Sequence, residues 1–203
     1  NLDIILSGDE TDVGPNISAT FMNNGDKTFT ISDDPVVINP GYFGAIDHGD
    51  IDADGDIDFI FNGWGDGVNS GIAINDGSGG LSLSSSLEFG ISAPTSGFAD
   101  FNNDALLDYY FFGNDPGTCA IWFQNTDGTF TKDNSSFASL SFWDPDANII
   151  DFNNDGYMDI FLTGFERNID SRYSKVLIND YYGGFTASAQ PNIIQKSYGS
   201  SEW

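Results

Sequence analysis

A single cysteine, Cys119, stands in 203 residues. It excludes a disulfide within the chain and any zinc site of the CxxC kind. Basic residues are also scarce: 6 Lys and Arg face 31 Asp and Glu, for a formal charge of -25. Phosphate backbones and anionic bilayers would repel such a chain, which argues against nucleic acid and membrane surfaces as partners. No apolar run approaches the roughly 18 residues that span a bilayer, so direct membrane insertion is not expected. No signal peptide is visible, and the opening residues NLDIILSG read as the middle of a structural unit.

What is present suffices for a core. Hydrophobic residues make up 39% and aromatics 15%, which sets the chain apart from acidic disordered proteins. The chain also repeats itself. DIILSG from Asp3, DFIFNG from Asp58, DYYFFG from Asp108 and DIFLTG from Asp159 each run from an Asp through mostly large apolar residues to a Gly, at spacings of 55, 50 and 51 residues. Between them recurs a hairpin signal, apolar residues followed by Asn and Gly or Asp, aligned on Asn23, Asn75, Asn125 and Asn179. A third element precedes each acidic segment and places His48, Phe98 and Ile149 in one slot, with Trp203 fitting the same slot at the end.

Units of about 50 residues with four short strands and no helical period predict an all-β fold, a β-propeller of about four four-stranded blades. A sandwich is the competing arrangement; the period is too long for the rung of a β-helix. The repeats run approximately 1–50, 51–100, 101–151 and 152–203, within one propeller region.

Three acidic segments give the chemistry: DIDADGDID at 50–58, DFNNDALLD at 100–108 and DFNNDGYMD at 151–159. All fit Asp-x-Asp/Asn-x-Asp-x-x-x-Asp. Calcium takes six to eight oxygens at about 2.3–2.6 Å, and a tight turn of alternating acids can gather them around one point. The candidate ligands are Asp50, Asp52, Asp54 and Asp58; Asp100, Asn102, Asp104 and Asp108; and Asp151, Asn153, Asp155 and Asp159. Backbone carbonyls of Asp56, Leu106 and Tyr157 join them at the seventh position. About three Ca2+ ions are expected. Gly55 and Gly156 suit a sharp turn at the sixth position, where Ala105 predicts strain in the middle segment. The loop is not an EF-hand: position 12 holds Phe61, Phe111 and Leu162 instead of a bidentate Glu, and strands replace the flanking helices.

These residues resemble the FG-GAP and VCBS repeats of integrin α-subunit propellers and of many secreted bacterial proteins, through the whole chain. FNNDGYMDIFLTG and VLINDYYGGF look most like bacterial VCBS units; YFGA at 42–45 only partly echoes the FG and GAP signatures. The resemblance implies a calcium loop joining the first two strands of each blade. Only Asp3 remains of such a loop in the first unit. Related propellers have about seven blades, or roughly 350 residues, so the four units are expected to belong to a larger ring with further blades. The alternative is closure of four units, with the strand ending in Trp203 beside Asn1.

No catalytic residues emerge. His48 reads as a packing histidine or one behind a metal ligand, and Cys119 as a small structural thiol. Binding is the better reading. The loops opposite the calcium turns, DETDVGPN, WGDGVNSG, NDPGT and FERNIDSRY, differ while the strands stay alike, as in a scaffold carrying variable recognition loops. Trp64, Glu166, Arg167, Arg172 and Tyr173 are the candidate ligand contacts; Phe142 and Trp143 fit a contact or the core. The expected function is a calcium-stabilised extracellular recognition or adhesion module for a protein or glycan ligand. A propeller of a secreted polysaccharide-degrading enzyme, or a structural spacer, are the alternatives. Extracellular placement follows from loops that fill steadily only at about millimolar calcium.

Overall fold

A computed structural model describes residues 4–9, 16–31, 42–64, 70–78, 80–86, 95–114 and 117–188. Their regular structure is all β, in four sheets taken in chain order. β1 (Ile4–Asp9), β2 (Asn16–Asn23) and β3 (Phe29–Ile31) form the first. β4 (Tyr42–Gly49), β5 (Asp58–Trp64), β6 (Gly71–Asn75) and β7 (Leu81–Ser86) form the second. β8 (Thr95–Ala99), β9 (Asp108–Phe112), β10 (Ala120–Gln124) and β11 (Phe130–Asp133) form the third. β12 (Phe142–Ile150), β13 (Asp159–Glu166), β14 (Ser171–Asn179) and β15 (Phe185–Ala187) form the fourth.

Each sheet is an antiparallel meander, the blade of a β-propeller. The first sheet has three strands among the described residues, none of which pairs with the free edge of β1. Asp3 and Trp203, and most of the variable loops at 9–16 and 64–71, lie outside the described residues.

The apolar runs are continuous because the blades are buried on both faces. Alternation serves a strand with one wet face; a strand covered on both sides needs apolar residues throughout. In β9, Tyr109 and Phe111 pack with Ile60 and Ile72 of the second blade. Their neighbours Tyr110 and Phe112 point the other way, onto Ile160, Leu162 and Leu177 of the fourth. Phe111 and Phe112 are essentially fully buried, and truncating either to Ala should cost about 3–5 kcal/mol. The fourth strands show the contrast: β11, FTKD, is mostly solvated.

The first strands pack side by side, β8 touching β4 and β12. Crowding there selects small residues: a Cβ on Gly97 would run into the Asp47 carboxylate and the Tyr110 hydroxyl. Asp47 Oδ2 instead accepts the Phe98 amide at 3.0 Å, joining the second and third blades.

The hairpins joining the last two strands of each sheet are alike, with Asn24, Asp76, Asn125 and Asp180 amides donating to the carbonyls of Thr28, Gly80, Thr129 and Gly184. The pairs Asn23↔Phe29, Asn75↔Leu81, Gln124↔Phe130 and Asn179↔Phe185 fix the register. Gln124, not Asn125, is therefore the partner of the other three asparagines. The third unit thus sits one position from where its asparagine places it.

Candidate metal loops and the opposite face

The three acidic segments form the turns between first and second strands, closed by Gly49↔Asp58, Ala99↔Asp108 and Ile150↔Asp159. Their internal bonding repeats. The first Asp accepts two backbone amides of its own turn: Asp54 and Gly55 on Asp50, Asp104 and Ala105 on Asp100, Asp155 and Gly156 on Asp151. The fifth-position Asp accepts the amide two residues on, at 2.9 Å in each loop.

The ninth-position Asp is the fastener. Asp58, Asp108 and Asp159 are fully buried. One oxygen of each takes the amide of position 2, from Ile51 at 2.9 Å, Phe101 at 2.9 Å and Phe152 at 3.0 Å. The other takes the amide that ends the third strand, from Asn75, Gln124 and Asn179, all at 2.9 Å. Burial pushes the Asp108 carboxyl up to about 6, against the pull of the Gln124 and Phe101 amides.

Backbone geometry explains the choice of residues. The sixth position has φ 97° at Gly55, 68° at Ala105 and 90° at Gly156. The middle loop thus holds an alanine in left-handed backbone, as its sequence implied. The fourth position is left-handed too, at Ala53, Asn103 and Asn154.

In the first loop, Asp50, Asp52 and Asp58 bring one oxygen each within 4.8 Å of one another. Oxygens on opposite sides of one calcium ion lie about 5 Å apart, so the group has the right span. Slight burial, and then repulsion from Asp58, Asp54 and Asp50, raises the Asp52 carboxyl. A hard cation would relieve that repulsion, so the donor set fits. The other two loops carry Asn at position 3, and its amide donates to the neighbouring carboxylate, Asn102 to Asp104 at 3.0 Å and Asn153 to Asp155 at 2.7 Å.

Two features escaped the sequence reading. Position 2 is apolar for a reason: Ile51 and Phe101 are buried between their own blade and the next, Phe101 edge-on to Tyr110 and Phe185. In the third loop Tyr181, from the neighbouring hairpin, hydrogen-bonds Asp155, whose charge raises the phenol, and lies 4.7 Å from the Tyr157 ring. Tyr181 holds left-handed backbone, φ 76°, which is unusual for a bulky residue and which no local sequence pattern announces.

At the other end of the fourth blade the candidate contacts separate. Glu166 is a correction: it is 2% exposed, and its oxygens take the amides of Ser141, Asn168 and Ile169, organising the 167–170 turn. Tyr173 is half-buried: it packs edge-on to Phe142 at 5.2 Å, and burial pushes its phenol up to about 12. Arg167 and Arg172 are exposed. The Trp64 side chain lies outside the description. Trp143 is 50% exposed, stacks on Phe165 with centroids 5.7 Å apart, and has the Arg167 guanidinium 5.1 Å from its ring centre. Arg167 is itself tied to the Asn114 carbonyl at 2.6 Å. A bulge between Trp143 and Asp146, with Asp144 at φ 47°, sets the indole out. Arg172 sits directly opposite Phe165 in register, completing a row across three strands.

Cys119 is fully buried, donates to the Gly113 carbonyl at 3.6 Å and is pushed up to about 11 by burial, as a packing thiol should be. His48 departs from its reading: its side chain is 70% exposed, 3.6 Å from Asp47.

Residues 100–162 match the family described as FG-GAP-like repeat. No curated protein matches the chain. Among solved structures it is similar to an Agrocybe aegerita lectin, described as recognising non-reducing terminal N-acetylglucosamine, at 20% identity and a TM-score of 0.53. The match covers 91% of this chain and 51% of that one, so the chain spans about half the length of the lectin. At that identity the likeness bears on the fold.

Proposed function

With residues 100–162 an FG-GAP-like repeat, we propose that the protein is a calcium-stabilised, extracellular, non-catalytic recognition module that binds a glycan on the face opposite its metal loops. The observation that carries this reading is Trp143, half exposed at the end of the fourth blade beside Phe165 and Arg167. Exposing an indole to water is unfavourable, and the bulge keeps it exposed beside a guanidinium donor. An aromatic plane flanked by fixed donors suits a sugar ring, whose C–H face is apolar and whose hydroxyls need partners. The lectin with a similar fold supports a glycan over a protein ligand.

Calcium has a scaffolding role in this reading. Asp50, Asp52, Asp54 and Asp58 would hold one ion, with Asp100, Asn102, Asp104 and Asp108, and Asp151, Asn153, Asp155 and Asp159, holding two more. The ion supplies positive charge that lets the carboxylates converge. Extracellular placement accords with the weak affinity of open oxygen sites. Among the described residues no helix is long and apolar enough to cross a membrane.

A glycan array probed with the chain and with Trp143→Ala tests the reading. Retention of a defined set of glycans, lost in the variant, is expected. Absence of retention, or retention that ignores Trp143→Ala, would overturn it.

A further inference from the structure

The first and second loops are each gripped by the blade that follows them. Gln124, which ends β10, donates its side-chain amide to the Ile51 carbonyl of the first loop at 3.0 Å. Asn179, at the same place in β14, donates to the Phe101 carbonyl of the second loop at 2.8 Å. The backbone amides of the same two residues fasten Asp108 and Asp159 of their own loops at 2.9 Å. Those carboxylates in turn fix Phe101 and Phe152. One hydrogen-bonded line therefore runs from Ile51 through Gln124, Asp108, Phe101, Asn179 and Asp159 to Phe152. A second link, Asn103 Nδ2 to the Gly156 carbonyl at 2.8 Å, joins the second and third loops directly.

We propose that this line couples cation binding across the three loops, so that filling one raises the affinity of the next. The inference rests on the reading of the loops as calcium sites. Its physical basis is the ninth-position carboxylate, which would be a metal ligand and is also the fastener of position 2. An ion that draws Asp58 into one arrangement fixes Ile51, whose carbonyl holds Gln124. Gln124 is in that way already placed to order Asp108. The second loop then needs less ordering when its own ion arrives, and that saving is a coupling free energy. Gln124 has little else to do at its tip: its Oε1 is buried without a partner, so the side chain is kept for its donor.

The third loop carries its own reporter. Its seventh residue is Tyr157, where the others have Asp56 and Leu106, so terbium bound there is sensitised by tyrosine. The first loop is disabled with Asp50→Asn and Asp54→Asn, and terbium affinity of the third loop is read by luminescence. Calorimetry with calcium runs in parallel, and circular dichroism confirms folding. The expected result is a loss of about fivefold at the third loop, a coupling at the low end of those usually seen. In a Gln124→Met background the same change should leave the third loop unaffected. Asn103→Gly, an exposed substitution that removes the direct link without disturbing the core, should shrink the loss. Equal losses with and without Gln124, or no loss while calcium still binds, would overturn the coupling and leave the metal reading standing. No calcium uptake by calorimetry would overturn both.

Discussion

Asp159 Oδ1 accepts the backbone amide of Asn179 at 2.9 Å, tying the mouth of the third acidic loop to the end of the third strand of its blade. Its other oxygen holds Phe152 at 3.0 Å, and the carboxylate is fully buried. Asp159→Ala would leave both amides unpaired. Hydrogen bonds to charged groups contribute about 1.5–3 kcal/mol each, so the variant should lose about 3 kcal/mol or more by urea denaturation in chelator. Asn153→Ala, in the same loop but exposed, should stay within about 1 kcal/mol under those conditions. Equal losses would mean that the closing carboxylate is not the fastener.

Ala105 and Gly156 occupy the same left-handed position of two otherwise similar loops, at φ 68° and 90°. A Cβ on Gly156 would meet nothing within 4 Å, so Gly156→Ala isolates the backbone term. It should cost about 1–2 kcal/mol. Ala105→Gly should gain less than about 1 kcal/mol, because glycine also loosens the unfolded chain. A cost-free Gly156→Ala would show that the turn tolerates a side chain, and that Ala105 stores no strain.

If the loops take calcium, the folded chain binds it and the unfolded chain hardly does. Each tenfold rise of free calcium above the dissociation constant should then add about 1.4 kcal/mol per filled loop. Thermal melts in chelator and at rising calcium would show an increasing midpoint. Asp155→Ala should reduce the third loop's share more than Asn153→Ala, since it removes a charge as well as an oxygen. A midpoint indifferent to calcium would sink the metal assignment.

The blades and their loops were legible because a repeat exposes itself: the Asp that opens each apolar run returns at spacings of 55, 50 and 51 residues. The Asp-x-Asp/Asn spacing also located the turns, and Ala105 announced its left-handed backbone. Other features depend on contacts distant in sequence. Nothing local says that Gln124 rather than Asn125 aligns with Asn75, since register is set by pairing with Phe130. Glu166 reads as a polar loop residue, yet three amides converge on it in the interior. Trp143 reads as core or contact, and the bulge ahead of Asp146 decides for the surface.

Cys119, Tyr109, Tyr110 and Tyr173 are weak acids kept neutral by burial, and all four are shifted upward. Below about pH 8.5 both folded and unfolded chains hold these protons, and pH has no leverage through them. Above it the unfolded chain releases protons that the fold retains. Stability should therefore fall as pH rises from there through about 11 for Cys119 and about 12 for Tyr173. Melting midpoints between pH 8 and 11 should decline steadily, and Cys119→Ala should make the decline shallower by removing the earliest group. The native thiol should resist a disulfide reagent at pH 8 and react once the chain is unfolded. A flat midpoint across that range, or a native Cys119 that reacts at once, would mean that the thiol is not sealed between the third and fourth blades.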